Sequence, residues 1–178
     1  MTERMLLHLP DVDATCLLAA RLAASRPSRA VVHLHGDLGA GKSTLARAML
    51  RALGVSGAIR SPTYTLVERY PLGDGSGADG EAFHLDLYRI GGAGELEFLG
   101  LDPAEGTLWL VEWPERGAGG LPPADLRIEL AMADPGRAAR LVPTSPCGRE
   151  WLARLEADPE LRASPPSSNR KSRQVPDS

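Results

Sequence analysis

Gly36-Asp37-Leu38-Gly39-Ala40-Gly41-Lys42-Ser43 reads G-x-x-x-x-G-K-S, with Thr44 next, and it follows the apolar run Val31-Val32-His33-Leu34-His35. That order suits the holding of phosphates. A strand delivers the chain, glycines turn it so that successive backbone N–H groups face one concavity, and a helix N-terminus points at the same place. Lys42 brings a mobile positive charge for β- and γ-phosphates, and the Ser43 hydroxyl can hold Mg²⁺. A merely flexible loop accounts for the glycines but not for the strand, loop and helix in sequence around them. Only two of the twenty Lys and Arg residues are lysines, Lys42 and Lys171. A chain that writes nearly every cation as arginine, yet keeps lysine here, needs a compact ammonium rather than a planar fork.

Binding alone does not transfer or hydrolyse a phosphate; an acidic group for Mg²⁺ and something to orient the nucleophile are also required. Two apolar runs end in a carboxylate, Ala82-Phe83-His84-Leu85-Asp86 and Leu108-Trp109-Leu110-Val111-Glu112. Strands of an open α/β sheet converge with their carboxyl ends on the ligand crevice, so Asp86 and Glu112 are expected beside Mg²⁺. An acid at a strand end can also simply face solvent. The only Asn is Asn169 and the only Gln is Gln174, both near the C-terminus. Guanine recognition of the N-K-x-D kind is thereby excluded within the fold, as is a glutamine that positions water. That task is left to Glu112, Asp86, a hydroxyl such as Thr63, or a residue of a partner.

Ser61-Pro62-Thr63-Tyr64 stands a short loop beyond the helix that follows the phosphate loop. Nucleotidases keep a hydroxyl at such a place to sense the γ-phosphate through Mg²⁺; a turn leading into a strand explains the same residues equally well. His84 shares a strand face with Asp86 and Tyr88 and can hydrogen-bond near the site, although a satisfied, half-buried histidine is the simpler reading. Trp113 points to the face opposite Glu112 if its strand continues, where it can stack on a base, pack a hydrophobic edge or meet a partner.

The elements that must position these groups follow from periodicity. Residues 11–25 carry a helical pattern with Asp11 or Asp13 as N-cap, ended by Pro27. Residues 31–35 are the strand before the loop, and residues 42–53 the helix after it, stopped by Gly54. Strands are expected over residues 63–70, 81–88 and 107–113, a short helix over 95–99, and loops over 72–80 and 117–123. Residues 126–132 and 137–142 form a final hairpin turning at Asp134-Pro135-Gly136, and residues 148–157 a short last helix. The fold class is α/β: a P-loop NTPase-like single domain over residues 1–160, with a mixed, mostly buried sheet of about six or seven strands and a C-terminal edge hairpin. Residues 163–178 are almost without apolar side chains and are expected to be a disordered tail. Their basic cluster, Arg170-Lys171-Ser172-Arg173, reads as solvated rather than as a nucleic-acid contact.

Composition narrows the classes further. With 178 residues there is length for one well-packed domain. The formal net charge of −3 argues against nucleic-acid binding through the protein's own field. No segment resembles a secretory signal, and no apolar run approaches the roughly 20 residues of a membrane helix. Cys16 and Cys147 lack metal-ligand spacing, and two isolated thiols fit a reducing cytoplasm.

The loop at residues 36–44, Ser61-Pro62-Thr63-Tyr64, His84-Leu85-Asp86-Leu87-Tyr88-Arg89, Glu95-Leu96-Glu97 and Val111-Glu112-Trp113 together resemble one family. It is the bacterial ATPase subunit of the tRNA threonylcarbamoyladenosine biosynthesis machinery, the TsaE type. The phosphate loop is shared by a very large class; H-x-D-L-Y-R followed by V-E-W is far more specific. The resemblance covers residues 10–142 and implies an ATP-binding, Mg²⁺-dependent, slow ATPase. Such a protein acts with the TsaB and TsaD type pair that transfers a threonylcarbamoyl group to adenosine 37 of tRNA, touching the tRNA only indirectly. It further implies that the whole loop, Gly36 to Thr44, holds the nucleotide, with Lys42, Thr63, Asp86 and Glu112 in catalysis and Ser43, Asp86 and Glu112 at the metal. Ser61 to Thr63 are implied as a switch-like loop and Trp113 as the neighbouring aromatic, with the stretch 10–13, Asp11 included, and the edge around Arg137 near the adenine and ribose. Three departures stand out: Ser43 where the family usually has Thr, a glycine-rich insertion at residues 73–80, and the tail. A small-molecule kinase could use the same loop, but such enzymes generally close a basic lid, and residues 72–80 contain no cation. A nucleotide-binding scaffold without turnover is the third alternative.

Overall fold

The sequence periods resolve into one sheet with helices packed on it. The computed structural model describes residues 3–73 and 79–162. The expected tail, residues 163–178, and the middle of the glycine-rich connection lie outside them. Strands β1 (Met5–Leu9), β2 (Ala30–His35), β3 (Val67–Pro71), β4 (Glu81–Asp86), β5 (Leu108–Glu112), β6 (Leu126–Met132) and β7 (Arg137–Pro143) pair in the order β1-β7-β6-β2-β5-β4-β3. The central four, β6, β2, β5 and β4, are parallel. The edges are antiparallel: β3 against β4, and β7 between β6 and β1.

Helices α1 (Val12–Ser25) and α2 (Lys42–Ala52) pack on each other and on the sheet. Asp11 caps α1, its carboxylate accepting from the Ala14 N–H at 2.8 Å. The spacing Thr15, Leu18, Ala19, Leu22, Ala23 buries one stripe of α1, and Leu45, Ala46, Met49, Leu50 one stripe of α2. Helix α4 (Pro146–Glu156) closes the same layer with Trp151, whose indole donates to the Leu22 carbonyl at 3.2 Å. On the opposite face Phe83, Leu85, Leu87, Trp109 and Val111 form a second cluster beneath the short helix α3 (Gly94–Glu97). Each such side chain contributes about 1.5–3 kcal/mol by burial. The consequence for function is local: β4 and β5 are covered on both faces, so their carboxyl ends are held firmly. A one-turn helix, α5 (Pro159–Arg162), ends the described chain.

Two expectations need correction. The strand expected over residues 63–70 begins only at Val67. Leu66 donates its N–H to the Pro62 carbonyl at 2.8 Å and sits at φ 65°, so residues 62–66 form a turn that lifts Thr63 and Tyr64 off the sheet. Strand β1 was not foreseen: Met-Leu-Leu-His-Leu shows no clean alternation, and its pairing partner is β7 at the far end of the chain.

Candidate functional site

The site grows out of the carboxyl ends of the parallel strands. After β2 the chain turns at Gly36, at φ 147°, where a Cβ would stand 2.4 Å from the Leu130 carbonyl oxygen of β6. Only glycine lets the loop leave the sheet this closely. Gly41, at φ 105°, opens α2 with no side chain capping it, and Gly39, Gly41, Lys42, Ser43 and Thr44 line a cleft of about 370 Å³ at that helix end. Anions are favoured there by the first-turn N–H groups and the helix dipole.

Arg137, at the start of β7, braces this loop. Its Nε donates to the Ala40 carbonyl at 3.1 Å and its Nη2 to the Gly39 carbonyl at 3.0 Å. In a trans peptide the N–H points opposite to the C=O, so pinning the Ala40 carbonyl turns the Gly41 N–H away from the guanidinium. Arg137 also lines both the main cleft and an adjoining one of about 190 Å³ formed with Pro10, Asp11, Thr15 and Thr44. Asp11 therefore lies next to the loop with its carboxylate engaged in capping α1.

Lys42 is only 4% exposed, and its Nζ donates to the Gly36 and Asp37 carbonyls at 2.5 and 2.9 Å. Burial lowers its pKa below the ordinary lysine value, with Glu112 and Asp86 acting in the other direction. The ammonium also stands 4.3 Å from the centroid of Trp113. Trp113 is in the left-handed region at φ 56°, so β5 does not continue through it. Its ring turns back over Lys42 instead of pointing to the opposite face.

Asp86 and Glu112 are cross-strand partners at the ends of β4 and β5. Glu112, 2% exposed, accepts from the Ser43 hydroxyl through Oε2 at 2.8 Å, and its Oε1 lies 2.7 Å from His84 Nε2. Asp86, 7% exposed, accepts the Tyr88 N–H through Oδ1 at 3.0 Å. Burial pushes its carboxyl above the usual carboxylate range, and the neighbouring Glu112 charge adds to this. His84 is thus not the half-buried histidine the sequence suggested; it is fully buried and bound to the site.

The candidates Gly39, Gly41, Lys42, Ser43, Thr44, Leu38, Thr63, Asp86, Glu112, Trp113 and Arg137 all line the one cleft. Thr63 reaches it from the turn after α2, its hydroxyl 2.7 Å from that of Ser61. Gly36, Asp37 and Ala40 do not line it: the first two offer their carbonyls to Lys42, and Ala40 is buried beneath the loop. Two lining residues went unassigned in the sequence, Tyr88 and Arg89. Their signal was position, immediately after the strand-end Asp86. Tyr88 packs on Trp113 with centroids 4.9 Å apart, and the Arg89 guanidinium lies over Tyr64.

A hydroxyl and two carboxylates are hard oxygen donors of the kind Mg²⁺ selects. Among the described residues no three His, Cys, Asp or Glu side chains form a cage of their own. That fits an ion shared with phosphate oxygens and water rather than one enclosed by protein. Cys16 and Cys147 are free thiols.

Residues 9–140 match the model of the family described as "Threonylcarbamoyl adenosine biosynthesis protein TsaE". A Haemophilus influenzae protein named tRNA threonylcarbamoyladenosine biosynthesis protein TsaE is 42% identical over 125 residues, 69% of this chain and 76% of its own length. A Streptomyces coelicolor protein of the same name is 38% identical over 139 residues, covering 75% and 91% respectively. In fold, the crystal structure of Bacillus subtilus YdiB matches with a TM-score of 0.70 at 23% identity, over 88% of this chain and 97% of that one.

Proposed function

The chain belongs to the TsaE family, and on that premise we propose that it binds Mg-ATP in the cleft above Lys42 and hydrolyses it slowly. It does so as a subunit supporting threonylcarbamoyladenosine formation at position 37 of tRNA, together with a transferase pair of the TsaB and TsaD type. The cytoplasm is its compartment, and its contact with tRNA is indirect. The observation that carries this reading is the meeting of Lys42, Ser43, Asp86 and Glu112 in one cleft at the uncapped start of α2. No helix among the described residues is long and apolar enough to cross a membrane.

Each residue has a task that follows from its surroundings. The loop N–H groups bind phosphate oxygens without reorganising, because Arg137 already holds the loop carbonyls on the other side. Lys42 is desolvated and hydrogen-bonded only to carbonyls, with the Glu112 and Asp86 charges near but not in contact, so an incoming triphosphate gives it a directly bonded anionic partner. Ser43, Glu112 and Asp86 are the residues that would hold Mg²⁺, which when bound supplies charge neutralisation for the phosphates. Both oxygens of Glu112 are engaged, whereas Asp86 Oδ2 has no donor among the described residues. Asp86, through Oδ2, and the Thr63 hydroxyl, which lines the same cleft, would orient a water. Hydrolysis is slow because the described residues include no Asn or Gln for that role and leave the remaining orientation to a partner.

Glu112→Ala, assayed with the partner pair present, should lose ATP turnover while keeping most of its nucleotide binding. Unchanged turnover in that variant would remove Glu112 from the reaction and favour a scaffold that only binds.

A further inference from the structure

We propose that His84 is a positioning residue that fixes the Glu112 carboxylate, keeping one of its oxygens at Ser43 where the metal is to be held. The inference rests on the Mg-ATP reading above.

His84 lies on β4 two residues before Asp86, on the same face, and its Cα partner across the ladder is Leu110, not Glu112. The imidazole reaches Glu112 along the diagonal, a contact open to long side chains on neighbouring strands. Nε2 lies 2.7 Å from Glu112 Oε1 while Ser43 Oγ donates to Oε2 at 2.8 Å. A carboxylate only accepts, so Nε2 carries the hydrogen, and Ser43 and His84 donate to the two oxygens of Glu112. With both oxygens held from opposite sides, rotation of the carboxylate about its terminal bond is blocked.

A histidine that merely fills the core should have both nitrogens satisfied. This one is 0% exposed, and its Nδ1 has no partner among the described residues. An apolar residue would fill the same space without leaving a buried acceptor unpaired. What the imidazole offers here and an aliphatic side chain does not is the single bond to Glu112. Residues that orient metal ligands from behind act in this way, and their loss weakens metal affinity more than it weakens the fold.

The test compares wild type with His84→Leu, His84→Gln and His84→Asn, following ADP binding by calorimetry as Mg²⁺ is titrated and again in excess EDTA. The glutamine amide can donate from nearly the place of Nε2; the asparagine amide is too short. His84→Leu and His84→Asn should raise the Mg²⁺ midpoint about tenfold or more, His84→Gln less than about threefold, with metal-free ADP affinity unchanged in all. If His84→Leu does not fold, the Asn and Gln pair decides. Equal midpoints for wild type and the variants without the bond overturn the proposal, as does a Gln variant as impaired as Leu or Asn. A second readout needs no nucleotide: ring ¹⁵N spectra should show the His84 proton on Nε2, shifted by Glu112→Ala. A proton on Nδ1, or no response to Glu112→Ala, overturns the positioning role even where Mg²⁺ dependence is intact. Absence of any Mg²⁺ dependence in wild type instead refutes the Mg-ATP reading, and the ring spectra then judge His84 alone.

Discussion

Replacing Arg137 by alanine should weaken nucleotide binding through the loop's backbone. Arg137 makes two bonds to the loop carbonyls of Gly39 and Ala40, and a third to the neighbouring Gly136 carbonyl at 3.0 Å. Hydrogen bonds from a charged donor contribute about 1.5–3 kcal/mol each, but Arg137 is only half-buried and water can replace part of that, so about 1 kcal/mol per loop bond is the fair figure. Two bonds then hold the phosphate-binding shape by about 2 kcal/mol, equivalent to a loss of about 30-fold in affinity when the free loop must be ordered by the ligand itself. Arg137→Lys keeps the charge without the two-pronged fork, so it should recover little of the loss. Two measurements separate this from direct contact with the nucleotide. Titration calorimetry with Mg-ADP gives the affinities, and amide hydrogen exchange on the free protein reports the loop before any ligand arrives. The loop amides, Gly39 to Thr44, should exchange faster in Arg137→Ala than in wild type. Unchanged exchange in the free variant would refute the buttress argument, and full affinity in Arg137→Lys would refute the need for a fork.

Other consequences are equally direct. Gly36→Ala places a methyl 2.4 Å from the Leu130 carbonyl and should cost about 1–3 kcal/mol, read as a lower denaturation midpoint; a variant as stable as wild type contradicts the close approach of loop and β6. Asp86 has a raised pKa, so between its unfolded value near ~4 and its higher folded value the native state binds more proton, and this group's contribution to stability falls as pH rises. Without magnesium, Asp86→Asn should therefore exceed wild type in stability at neutral pH, the advantage vanishing as acid protonates Asp86; a urea-midpoint difference that grows toward acid has the wrong sign. The amide oxygen keeps the bond from the Tyr88 N–H, so the comparison isolates the charge.

The phosphate loop and the two strand-end acids were legible because their signals are local: glycines at fixed offsets, and apolar runs that stop at a carboxylate. What escaped was set by register and by distant contacts. His84 meets Glu112 only because β4 and β5 align Asp86 with Glu112, and no periodicity within either strand contains that alignment. Arg137 bonds a loop 97 residues earlier in the chain at Ala40, so its backbone role is invisible until β7 is placed beside β6. Trp113 departed from its expected face because one left-handed residue ends β5, a conformation its neighbours do not announce. The turn over residues 62–66 was hidden by Thr63, Tyr64 and Thr65, whose β propensity matches a strand that the Pro62–Leu66 bond forbids.

The measurement closest to the central claim is calorimetry of Mg-ATP with the folded protein, with and without its partner pair, beside Lys42→Ala. Saturable binding that this substitution weakens at least tenfold is the predicted result, since the cleft loses its one lysine charge. No heat of association in either setting, or an affinity indifferent to Lys42, would contradict the account.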